Sequence, residues 1–143
     1  FAVPPLLERR GFLREGQAPP LRYIFVQPSK KGVLDFYVGC HGNFDRLVRS
    51  VLKELSSHLP KLRYCVVLAY LDKNAALLSE QGYPTLFPEG IENIPPRFAI
   101  SWRNKWMINR ADYIICYVKY SWGGAAGFRE LAVKKGKAII DLV

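Results

Sequence analysis

From position 34 onward, short apolar runs alternate with stretches of helical periodicity. Asp35-Phe36-Tyr37-Val38 is a β-rich run that stops at Gly39-Cys40-His41-Gly42. Phe44, Leu47, Val48, Val51, Leu52, Leu55 and Leu59 then recur at helical spacing, which predicts an amphipathic helix opened by Asn43 or Asp45 and ended by Pro60. Residues 63–70 are apolar without alternation, the pattern of a central parallel strand buried on both faces. Residues 72–96 carry Gly82-Tyr83-Pro84, Pro88-Glu89-Gly90 and Pro95-Pro96, so a long loop with little regular structure is expected there. A helix follows over residues 97–109, with Phe98, Trp102 and Trp106 one turn apart and directed at the core. A strand at 113–118, a tight Ser121–Gly127 turn, a helix to Lys135 capped by Gly136 and a last strand at 138–142 complete the pattern.

Strands alternating with helices in this way predict an α/β fold: a single Rossmann-like domain, mostly parallel sheet, with helices on both faces, over residues 33–143. Residues 1–32 do not fit it. Pro4-Pro5, Gly11, Gly16, Pro19-Pro20 and Pro28 interrupt every window, leaving a short strand at 21–26 and an irregular or divergent segment that should pack less well than the rest.

Composition narrows the function classes. A chain of 143 residues, half of them hydrophobic, suits one domain. The longest apolar run, residues 64–71, is far below the roughly 20 residues that span a bilayer. The first residues lack a basic stretch leading into an apolar one, so no secretory signal or membrane partner is expected and a cytoplasmic location is. Cys40, Cys65 and Cys116 are odd in number and lack C-x-x-C spacing, which excludes a disulfide framework; Cys65 and Cys116 read as core thiols. Two histidines and no clustered carboxylates give no metal site, and no cofactor is expected. The net charge of +9 favours phosphate-bearing or polyanionic partners.

Two strand-to-helix turns carry the candidate chemistry. Gly39-Cys40-His41-Gly42-Asn43-Phe44-Asp45 and Trp122-Gly123-Gly124-Ala125-Ala126-Gly127 each place glycines where backbone N–H groups could meet an anion at a helix N-terminus. Neither is a G-x-G-x-x-G fingerprint or a Walker loop. On successive βα units both would face one crevice at the carboxyl ends of the strands. Arg97, Arg103, Lys105 and Arg110 make the intervening segment basic, a source of phosphate partners. A Cys40–His41 nucleophile is disfavoured, because adjacent side chains seldom face each other and no third group is evident.

Together with Pro88-Glu89-Gly90-Ile91-Glu92 and the stretch from Arg97 to Met107, these turns resemble the short bacterial branch of the SLOG superfamily over about residues 33–143. The resemblance implies binding of a nucleotide or nucleotide-derived ligand. In the superfamily's Lonely Guy phosphoribohydrolases an Arg stands four residues before a Met and is followed later by P-G-G-x-G-T-x-x-E. Arg103 and Met107 reproduce the first spacing, Gly123 and Gly124 match the paired glycines, and Glu130 falls at the Glu position. Trp122 replaces Pro, Ala126 the third Gly and Gly127 the Thr, and the Gly-His-Arg-like loop with which this branch usually opens is not found in residues 1–32.

The reading that follows is a sensor or ligand-binding domain in which Gly39–Asp45 and Gly123–Gly127 cradle phosphate beside Arg103 and Asn104. The alternative is an N-glycosidic hydrolase of nucleoside monophosphates, with Arg103 orienting the phosphoribosyl group and Glu130 stabilising positive charge at the anomeric carbon. A further alternative, prompted by the charge and by the superfamily's link to a DprA-type DNA-processing domain, is nucleic-acid binding. Homo-oligomerisation is compatible with each.

Overall fold

The alternation of strand and helix patterns is realised as a mixed α/β structure in a computed structural model that describes residues 34–142. The expected strand at 21–26 and the looser packing of the N-terminal segment lie outside these residues. In chain order the elements are β1 (Leu34–Val38), α1 (Asn43–Ser56), β2 (Leu62–Val67), α2 (Lys73–Glu80), β3 (Thr85–Leu86), a 3-10 turn (Ile91–Asn93), α3 (Pro96–Arg110), β4 (Tyr113–Cys116), α4 (Gly124–Lys134) and β5 (Ala138–Asp141).

Among the described residues every strand pairing is parallel, as helix-linked strands require. Strand β2 lies between β1 and β3, with Leu34 opposite Leu62 and Val38 opposite Val66 on one side and Val66 opposite Thr85 on the other. Strands β4 and β5 form a second, two-stranded sheet in which Tyr113 faces Ala138 and Cys116 faces Asp141. Both sheets feed one core. Phe36 and Val38 of β1, Val48, Leu52 and Leu55 of α1 and Val66 of β2 pack with Ile115 of β4 and with Leu142. A second cluster joins Ile108 of α3, Ile114 and Cys116 of β4 and Ala132 of α4.

Three expectations need correction. Residues 72–96 are not a structureless loop. Asp72 opens α2 by accepting the Ala75 N–H at 3.0 Å, and Gly82 and Tyr83 close it with N–H bonds to Ser79 and Leu78. The glycine and prolines that suggested a loop punctuate the ends of a short helix and of β3, not their interiors. Second, β2 is not buried on both faces throughout: Arg63 points to solvent and pairs with Asp35 across the strand register at 2.8 Å. Third, α3 turns a different stripe inward. Ala99, Arg103, Met107 and Ile108 are buried, whereas Phe98 is 50% exposed and Trp102 and Trp106 are half-buried. Trp106 packs edge-on against Tyr37 of β1 instead.

Among the described residues no helix is long and apolar enough to cross a membrane.

Candidate functional site

Strand β1 ends at Val38, and the chain then makes a short turn through Gly39, Cys40 and His41 before α1 begins. The helix is opened by Gly42, whose φ of +91° is left-handed territory, and no side chain caps it; neither Asn43 nor Asp45 serves as the expected cap. Main-chain N–H groups of the first turn are therefore left without a side-chain acceptor, an arrangement suited to an anion.

Beside this turn sits Arg103, 2% exposed and the one buried charged side chain among the described residues. The other buried residues of α3, Ala99, Met107 and Ile108, are apolar. Arg103 is held there because its guanidinium reaches across α3 to the carboxyl ends of β1 and β2. Nη1 donates toward the Val67 carbonyl at 3.2 Å, the Cys40 sulfur at 3.4 Å and His41 Nδ1 at 3.3 Å, while Nε donates to Asn104 Oδ1 at 3.1 Å. Two hydrogens on Nη1 thus serve three acceptors. No carboxylate of the described residues forms an ion pair with this guanidinium.

Gly39 is where the turn is tightest. A Cβ at that position would lie 3.4 Å from Arg103 Cζ and would collide with the Asp45 carboxylate, so the glycine is what lets both side chains close over the backbone. Arg49, one turn further along α1, donates to the Gly39 carbonyl at 3.3 Å.

His41 is oriented by this cluster. Guanidinium nitrogens only donate, so the contact between Arg103 Nη1 and His41 Nδ1 requires Nδ1 to be an acceptor, which puts the ring proton on Nε2. The electrostatics agree. Partial burial of the ring, followed by the charge of Arg103, holds the imidazole below its usual value, against the opposing pull of Asp45 and Asp72. Nδ1 also lies 3.5 Å from the Cys40 sulfur, so these neighbouring side chains do meet, contrary to the sequence expectation. The reason is Arg103, which draws both toward one nitrogen.

The second turn follows β4. Gly123 opens α4 with φ +95°, again with no side-chain cap. An added Cβ at Gly124 or Gly127 would meet nothing within 4 Å, so close packing does not explain these glycines. Ala126 is buried, and Trp122, Ala125, Gly127 and Glu130 are exposed. The two turns come together: Phe44, in the first turn of α1, stacks on Tyr117 at the end of β4 with ring centres 6.0 Å apart. Tyr120 and Trp122 form a second stacked pair at 5.2 Å, with Trp122 73% exposed.

Of the residues singled out from sequence, Gly39, Cys40, His41, Asp45, Arg103 and Asn104 form one contiguous group, and Gly123, Gly124 and Gly127 lie at the neighbouring turn. Glu130 is not joined to Arg103; its neighbour Arg129 ties α4 to β5 through Asp141 at 2.8 Å. Arg97 and Arg110 are placed over the rings of Phe98 and Trp106. Sequence reasoning missed Arg49 and Asp72. Asp72 carried a readable signal as a helix-opening residue, whereas nothing in the spacing of α1 marked Arg49.

Comparison of the chain with protein-family models, with curated proteins and with solved structures gives no match.

Proposed function

We propose that the chain is a Rossmann-like domain, SLOG-type in its motifs, that binds a nucleotide or nucleotide-derived ligand through its phosphate. The single observation that carries this reading is Arg103. A buried cation is costly unless an anion pairs with it, and here every hydrogen-bond acceptor of the guanidinium is neutral, at the strand ends where α/β proteins bind ligands. The contact of Phe44 with Tyr117 and the shared core of Phe36, Val38 and Ile115 support reading the two sheets as one strand order 3-2-1-4-5. The turns after β1 and β4 would then flank its switch point. Unfilled space over Gly124 and Gly127 leaves room for a phosphate at the second turn.

Titration calorimetry with nucleoside monophosphates and with inorganic phosphate tests the proposal. Arg103→Ala should weaken binding about ten- to a hundredfold, the loss of one charge-assisted contact. Equal affinity in parent and variant, both folded by circular dichroism, would refute it. Glu130→Gln separates binding from N-glycosidic cleavage. A binder keeps or slightly gains affinity for the anion, whereas a hydrolase loses release of free base. The exposed Glu130, not bonded to Arg103, favours binding.

A further inference from the structure

Three cysteines are free, and two of them are chemically quiet. Burial, aided by Asp35 near Cys65 and by Asp141 near Cys116, pushes both thiols up to about 11. Cys40 stands in different surroundings. It is half-buried, its sulfur receives an N–H from the 2%-exposed Arg103 at 3.4 Å, and His41 Nδ1, fixed as an acceptor, lies 3.5 Å away. A cationic donor and an imidazole nitrogen therefore converge on one sulfur, whose S–H donates to the Val67 carbonyl at 3.9 Å.

We propose that Cys40 is a covalent modification site, and that it forms a mixed disulfide with anionic low-molecular-weight disulfides drawn in by Arg103. The step balances without another reactant. The Cys40 sulfur attacks one sulfur of the incoming disulfide, the old S–S bond breaks and a new one forms. Cys40 is oxidised and the departing thiol is reduced. The Cys40 thiol gives its proton to water, and the departing thiolate takes one up from water. The anionic group of the incoming molecule occupies the guanidinium, which has no carboxylate partner among the described residues. The adduct and a phosphate ligand should consequently exclude each other. That exclusion rests on the binding function proposed above, whereas the reactivity of Cys40 does not.

The experiment uses 5,5′-dithiobis(2-nitrobenzoate) as the anionic probe and 4,4′-dithiodipyridine as the neutral one, on the intact chain, with peptide mapping of the products. Cys40 should react at least about tenfold faster than Cys65 or Cys116. Cys40→Ser should remove this fast phase. Arg103→Gln should slow the anionic probe more than the neutral one, and raising salt on the parent protein should do the same if that variant fails to fold. Modification spread evenly over the three cysteines, or equal responses of the two probes both to Arg103→Gln and to salt, would overturn the proposal. Nucleoside monophosphate should protect Cys40. Fast reaction at Cys40 without such protection would sustain the thiol site and count against phosphate binding there.

Discussion

A guanidinium removed from water must recover its hydrogen bonds from the protein, and Arg103 does so from a carbonyl, a thiol, an imidazole and an amide, none of them an anion. This arrangement makes His41 part of the support of Arg103, with a consequence for acid stability. The folded chain holds His41 below its ordinary value of 6.5, so the unfolded chain takes up the proton first as pH falls. Its contribution is present above that value and is lost as pH drops through it toward the folded one. Urea unfolding at about pH 7.5 and about pH 5.5 should show a larger loss for the parent protein than for His41→Gln. An equal loss in both would remove His41 from the account.

At the scale of the elements, α1 and α4 start in the same way, with a left-handed glycine and an uncapped first turn. At Gly42 and Gly123 nothing would meet an added Cβ, so replacing either by Ala costs the backbone term alone, about 1–3 kcal/mol for a positive φ with extended ψ. Gly127 differs: it lies within α4 with ordinary helical freedom and open space, so Gly127→Ala should stabilise the fold by about 0.5–1 kcal/mol. If phosphate uses that space, the same change should weaken nucleotide binding. Thermal melts paired with calorimetry read both effects, and a stabilised variant with unaltered affinity would place the ligand elsewhere.

Much of this layer was legible in the sequence. The stripe Val48, Val51, Leu52 and Leu55 gave α1 its buried face, and Gly136 marked the end of α4, where the Lys137 N–H bonds to the Ala132 carbonyl. In α3 two stripes compete at the same spacing, Phe98–Trp102–Trp106 and Ala99–Arg103–Met107. Hydrophobicity favours the first. The second is the buried one, because acceptors from β1 and β2 converge on Arg103, and such tertiary partners leave no local trace in the sequence. The same reasoning explains Cys40 and His41, whose proximity depends on a residue 62 positions away from the histidine.

For the molecule as a whole, the stacking of Phe44 on Tyr117 brings the first turn of α1 against the residue that follows β4. Trp122 stands in the second turn, 73% exposed and stacked on Tyr120, while Trp102 and Trp106 are half-buried on α3. The chain thereby carries its own optical reporter. The Trp122 indole should emit to the red of the other two and be the most open to collisional quenching by iodide. A nucleotide seated over Gly123 and Gly124 should shield it, and Trp122→Phe should remove the quenchable, ligand-sensitive fraction of the fluorescence. Quenching that persists undiminished under saturating nucleotide would mean that the ligand lies away from the second turn.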